Sequence, residues 1–230
     1  MEDVMEIHNI AHRGFTKSFP DNTLKAFEAA IEIPVDGIEF DVRETADNKF
    51  VIHHDPQLQG KDINKLSRDE IRSIKLEGKY EIPTLEETLD LLRNRTGLMI
   101  EVKEVKSADS FLTLLRARAN LDDVIVTSFN HDFILKLSRL APEIRRGVLA
   151  GRQVDDPIGL IESNHADAIA IRCPFATVEL IESVHTHNHT VHVWGCNNMK
   201  DIRRTLKLDI DSIITDFADE VARELGKRNE

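Results

Sequence analysis

Cysteine is scarce: Cys173 and Cys196 are the only two in 230 residues, 23 positions apart and outside any CxxC spacing. That excludes a disulfide-stapled scaffold, a zinc ribbon and a thioredoxin-like site, and leaves two reduced thiols as the expectation. Long apolar runs are also missing, with none approaching the ~18 residues of a membrane span, so no integral membrane segment is expected. The opening Met1-Glu2-Asp3-Val4-Met5-Glu6 lacks the basic and apolar segments of a secretory signal, which points to a cytoplasmic protein. Positive charge is in deficit, 30 Lys and Arg against 41 Asp and Glu, for a net charge of −11. Nucleic acid is therefore disfavoured as a partner, since Lys and Arg contacts to phosphates supply most non-specific affinity for it. A small anionic substrate stays compatible, given local compensation. No GxGxxG follows any expected strand, which argues against a dinucleotide-binding fold, and no motif sets an oligomeric state.

What is present is a chain with 41% hydrophobic and 31% charged residues, enough to bury a core and stay in water as one domain spanning residues 1–230. Apolar, β-branched runs recur at Ile7–His12, Gly37–Val42, Gly97–Val102, Asp123–Phe129, Ile144–Ala150, Asp167–Cys173, Thr190–Cys196 and Asp211–Asp216. Between them lie segments of helical periodicity, such as Leu24, Phe27, Ala30 and Ile31, or Phe111, Leu114, Leu115 and Arg118. Capping-box spacings at Ser67 to Glu70 and Thr84 to Glu87 mark helix starts, and Asn22 or Thr23 suits the cap of the first helix. Eight βα units predict an α/β fold, a TIM (β/α)8 barrel, in preference to an open doubly wound sheet. Residues 50–83 are too long for a βα loop. They read as a strand-like Phe50–His53 followed by a short insertion, about 56–82, between the second and third main strands, on the rim of the active site.

Side chains two apart on a strand share a face. Glu39 and Asp41 thus face one way and Ile38, Phe40 and Val42 the other, and Glu101 and Lys103 repeat the pattern on the next main strand. Three carboxylates pointing into a barrel near strand C-terminal ends fall where barrel active sites lie. They need neutralising, either by a divalent cation with a taste for hard oxygen ligands or by an ion-pair network with Lys103. His12 and His54 end strands and titrate near neutral pH, which suits a general acid and base on opposite sides of a substrate. Arg13 offers a planar cation to phosphate oxygens, and Gly14 permits a sharp turn beside a ligand. Trp194 and Phe129 read either as an aromatic wall for the substrate or as core filler. Ile171 and Arg172, at the sixth strand end, could reach a leaving group. His185, His187, His189 and His192 superficially resemble a metal cluster. The first three fall at a helix end and loop on the opposite face of the barrel, and read as solvated, with adventitious transition-metal binding as a side effect.

His12-Arg13-Gly14, Pro20-Asp21-Asn22-Thr23, Glu39-Phe40-Asp41-Val42, His54-Asp55-Pro56, Ile82-Pro83-Thr84-Leu85-Glu86, Glu101-Val102-Lys103 and Thr215-Asp216 together resemble, in order and almost end to end, the motifs of glycerophosphodiester phosphodiesterases. The resemblance implies a metal-dependent barrel hydrolase that releases glycerol 3-phosphate and an alcohol. It implies His12 and His54 as the acid–base pair, Glu39, Asp41 and Glu101 as ligands of one Mg²⁺ or Ca²⁺, and Arg13 and Lys103 as phosphate-holding cations. Asp21 stands where the family usually has Glu, and Gln59-Gly60-Lys61 after Leu58 departs from the usual pattern, which leaves the leaving group open. Alternatives are a lysophospholipase D acting on acylated substrates and a non-catalytic barrel that binds phosphodiesters.

Overall fold

The computed structural model describes residues 6–227. Met1 to Met5, most of the stretch read above for a secretory signal, lies outside them. Eight parallel strands run β1 (His8–His12), β2 (Gly37–Glu44), β3 (Gly97–Glu104), β4 (Val124–Ser128), β5 (Arg145–Ala150), β6 (Ala168–Arg172), β7 (Thr190–Trp194) and β8 (Ser212–Thr215). Each pairs with its chain neighbour, and β1 pairs with both β2 and β8, which closes the TIM barrel. Alternation decides what fills each layer. Ile38, Phe40 and Val42 face the helices at zero exposure, and Phe40 lies 5.8 Å from Phe27 of helix α1 (Leu24–Ile31). Inside the barrel, Ile10, Met99 and Ile214 form a separate apolar layer below the carboxylates, with Ile125 and Trp194 packed on it.

Both capping boxes form. Ser67 opens α2 (Arg68–Arg72) and Thr84 opens α3 (Leu85–Leu92), each exchanging hydrogen bonds with the glutamate three residues on. Of the two candidates at α1, Thr23 is the cap, accepting from the Ala26 amide at 3.2 Å. Asn22 is diverted elsewhere.

The insertion is a small unit with its own core. Phe50–Ile52 pairs antiparallel with the end of β2, and two short hairpins and α2 follow. Val51, Leu58, Ile63, Leu66, Ile71 and Ile82 are buried together beneath them. Its ends are tied by a hydrogen bond from the Ile52 amide to the Pro83 carbonyl at 2.9 Å, which fixes where His54 emerges. No helix among the described residues is long and apolar enough to cross a membrane.

Candidate active site

Glu39 and Asp41 on β2 and Glu101 on β3 project inward, and each offers an oxygen within 4.8 Å of the others. All three are buried. Among the described residues this is the one grouping of three metal-ligating side chains. Burial, followed by the nearby Asp41 charge, pushes the Glu39 carboxyl up to about 8, and the same two influences raise Glu101. Burial also works against ionisation of Asp41, but the charges of Lys103 and Arg13 and a hydrogen bond from Asn22 outweigh it and hold this carboxyl low. Lys103 ion-pairs with Asp41 at 3.1 Å and with Glu101, so the ion-pair network and the carboxylate cluster are one assembly. Glu39 Oε1 is buried without a hydrogen-bond partner. An orphaned acceptor beside two further carboxylates is a donor set that fits a hard divalent cation.

His12 stands beside this cluster, its Nε2 3.9 Å from Glu39. Its Nδ1 pairs with Asp216 at 2.6 Å, and Asp216 in turn accepts from the Asn197 amide at 2.5 Å. Burial depresses the basicity of His12, but the Asp216 hydrogen bond and the Glu39 charge more than offset it, leaving the imidazole above its ordinary value. His54 lies on the insertion side, with Nδ1 2.8 Å from Asp55. Its carbonyl is gripped by Arg43, which donates from Nε at 2.9 Å and Nη2 at 2.6 Å.

The His12-Arg13-Gly14 turn is built by local geometry. Arg13 adopts a φ of +56°, with its amide donating to the Glu39 carbonyl at 2.8 Å and to Glu39 Oε2 at 3.1 Å. Its guanidinium bonds Asp21 at 3.0 Å and lies 3.1 Å from Asp41. Gly14 turns at φ +87°, and a Cβ there would meet the Ala26 backbone at 2.7 Å. The glycine is demanded by contact with α1, whereas the sequence suggested contact with a ligand. Asn22 donates to Asp41 at 2.7 Å and accepts from the Asp41 amide at 3.2 Å, and so fixes the central carboxylate.

A cavity of about 270 Å³ unites these groups. His12, Arg13, Glu39, His54, Glu101 and Lys103 line one side of it. Phe129, Trp194, Arg172 and Asn197 also line it. Phe129 is 46% exposed and meets Trp194 edge to face at 5.8 Å. Trp194 donates to the Ala170 carbonyl at 3.2 Å and leans on the apolar layer below, so it is both wall and filler. All nine sequence-predicted site residues gather here: eight line the cavity, and Asp41 sits behind, ion-paired with Arg13 and Lys103 and hydrogen-bonded by Asn22. The histidines read as solvated lie elsewhere: His187 is exposed, bonded to the Ser183 carbonyl at 2.8 Å, whereas His185 is half-buried and pairs with Asp211 at 2.9 Å, which corrects the solvated reading for that residue.

Sequence reasoning held Asp216 within the Thr215-Asp216 motif without a role, gave none to Asn197 or Arg43, and offered Asn22 as one of two candidates for the first helix cap. The signal for Asp216 was available, since it is the first residue beyond β8, at the barrel end that carries the other site groups. Arg43 gave none, because its partner is a backbone carbonyl.

A sequence model of the Glycerophosphoryl diester phosphodiesterase family matches residues 12–220. The chain is 29% identical to a glycerophosphodiester phosphodiesterase of Bacillus altitudinis, over 93% of this chain and 96% of that one. It is also 29% identical to one from Caldanaerobacter subterraneus subsp. tengcongensis, over 90% and 93%. Among solved structures, a glycerophosphodiester phosphodiesterase from Parabacteroides distasonis superposes with a TM-score of 0.86 at 25% identity, covering 96% of this chain and 98% of the other. A phosphodiesterase from Oleispira antarctica, solved in complex with the product sn-glycerol-3-phosphate, superposes with a TM-score of 0.88 at 21% identity, covering 95% and 96%, a likeness of fold. With the family match spanning nearly the whole barrel, this chain belongs to the glycerophosphoryl diester phosphodiesterase family, a family of hydrolases.

Proposed function

We propose that this chain hydrolyses glycerophosphodiesters to sn-glycerol 3-phosphate and an alcohol, with His12 and His54 moving protons. The observation that carries the reading is the convergence of three buried carboxylates and an Asp-oriented histidine on one cavity. Glu39, Asp41 and Glu101 would hold one divalent cation, Mg²⁺ or Ca²⁺. When bound, it supplies positive charge for the phosphoryl oxygens of the transition state.

The chain's own residues do the rest. Arg13 is anchored through Asp21 and Asp41 and presents its remaining donors to the phosphate. Lys103 adds a second cation. Because Asp216 occupies Nδ1 of His12 and Asp55 occupies Nδ1 of His54, each imidazole exchanges its proton through Nε2. One accepts the proton of the nucleophile, the glycerol 2-hydroxyl or a water, as oxygen bonds to phosphorus. The other donates a proton to the alcohol oxygen as its bond to phosphorus breaks. Attack by the 2-hydroxyl gives a cyclic phosphate that water opens with the two roles exchanged.

A second reading, action on lysophospholipids that keep an acyl chain, is favoured by a groove of about 600 Å³ between α1 and the insertion. Phe19, Leu24, Tyr80 and Pro83 line it, and it reaches Thr23, the residue after Asn22. A cytoplasmic location is supported by the free, buried thiols of Cys173 and Cys196. The test is release of glycerol 3-phosphate from a panel of glycerophosphodiesters and lysophospholipids, first with chelator and then with Mg²⁺ or Ca²⁺ restored. Release that stops with chelator and returns with metal is expected. Silence across the panel from folded, metal-supplemented protein would favour the binding-only barrel.

A further inference from the structure

Arg172 is the last residue of β6, four strands around the barrel from β2 and its carboxylates. It lines the same cavity, yet it differs from the other cations there. Arg13 and Lys103 are held by Asp21, Asp41 and Glu101. Arg172 has no carboxylate partner among the described residues; its contact is with Trp194, whose ring centre lies 5.9 Å from the guanidinium carbon. The two side chains are register partners on β6 and β7. A cation–π approach to an indole draws a guanidinium to the ring while leaving its in-plane donors free.

The aromatic corner is therefore already committed. Trp194 faces Arg172, and Phe129 faces the Lys103 ammonium at 5.8 Å. A cationic alcohol such as choline or ethanolamine would ordinarily seek such rings, but here it would meet two positive charges already beside them. A carboxylate would meet an unpaired fork of donors instead.

We propose that Arg172 is a specificity residue that selects glycerophosphodiesters whose alcohol carries an anionic oxygen group and disfavours purely cationic alcohols. This rests on the diesterase reading above and names the substrate class within it. Arg172 binds the leaving alcohol and takes no part in proton transfer, so its removal changes substrate ranking and leaves the chemical step in place.

Glycerophosphoserine and glycerophosphoethanolamine differ only by a carboxylate and make a matched pair. With metal-supplemented full-length protein, kcat/KM for the serine diester should exceed that for the ethanolamine diester by roughly tenfold, the scale of one charge-assisted hydrogen-bonded contact. Arg172→Ala should bring the ratio to within about twofold, and Arg172→Lys should keep part of it. Arg172 is exposed, so both variants should fold, which their melting temperatures check. An unchanged ratio in Arg172→Ala, or a wild-type preference for ethanolamine, overturns the proposal. Calorimetric affinities of the same proteins for the same two diesters separate it from the activity itself. If neither diester turns over but binding still favours serine through Arg172, the hydrolase reading fails and the selection stands; equal affinities reject the selection.

Discussion

Asp216 decides which nitrogen of His12 can work. Its carboxylate takes Nδ1 at 2.6 Å and is itself fixed by Asn197, so the imidazole is locked in one orientation with Nε2 toward Glu39 and the cavity. Replacing either His12 or His54 with Ala should lower kcat by about 10²–10⁴-fold with folding intact, the range for a lost general acid or base. Asp216→Asn should act through His12. An amide in place of the carboxylate can donate to Nδ1 and so favour the unproductive tautomer, with a loss of order 10²–10⁴-fold. That loss should fall on kcat and leave KM near its wild-type value. Steady-state kinetics on one diester decide it, and a KM-dominated defect would place Asp216 in substrate binding. At this scale the sequence was informative about the charged side chains that gather at the candidate site and poor on those that hold them. Glu39, Asp41, Glu101 and Lys103 follow from strand alternation, whereas Asn22 is a loop residue whose contact with Asp41 spans 19 positions and has no periodic signature.

Between the residues and the barrel stands the β1–α1 turn. Arg13 at φ +56° and Gly14 at φ +87° reverse the chain within two residues, and the Phe15 amide bonds the Ala26 carbonyl at 2.8 Å. The turn is thus clamped between α1 and β2, the strand of Glu39 and Asp41. Gly14→Ala would drive a methyl into the Ala26 backbone at 2.7 Å and demand a left-handed conformation from alanine. A cost of about 2–3 kcal/mol is expected from the two together, seen in denaturant unfolding, along with a fall in kcat because the displaced turn carries His12 and Arg13. Wild-type stability in this variant would mean that the turn and α1 separate easily. The elements themselves were readily legible: apolar, β-branched runs located the eight strands, and capping boxes the starts of α2 and α3. Of the long stretch between β2 and β3, the strand-like Phe50–His53 and the start of α2 were legible and the two short hairpins were not, because the small core of Val51, Leu58, Ile63, Leu66, Ile71 and Ile82 has no regular spacing. Its attachment to β2 through Arg43 and the His54 carbonyl is a backbone contact that no residue pattern announces.

The closed barrel gives the molecule two ends with different demands. The C-terminal end gathers the charged groups of the candidate active site, while the N-terminal end holds a cavity of about 230 Å³ that shares Met99 with the candidate-site cavity above it. His192 lines this lower cavity, its Nδ1 2.7 Å from the Ser212 hydroxyl and its Nε2 3.3 Å from that of Thr190. Burial pushes its pKa down to about 4, with the charges of Arg145 and His8 acting in the same direction and Asp211 opposing them. The folded state therefore keeps this imidazole neutral in a range where the unfolded chain, with a histidine pKa near 6.5, takes up a proton. The stabilisation is full above about pH 6.5 and declines as pH falls toward 4, because protons bind preferentially to the unfolded state. Between pH 7 and 4.5, wild type should lose roughly 2 kcal/mol more unfolding free energy than His192→Gln, a figure discounted for water access through the cavity. Carboxylates titrate in both proteins and cancel in the difference. Urea unfolding of the pair across this range measures it, and parallel pH curves would show that His192 is protonated as easily in the folded barrel as in the open chain.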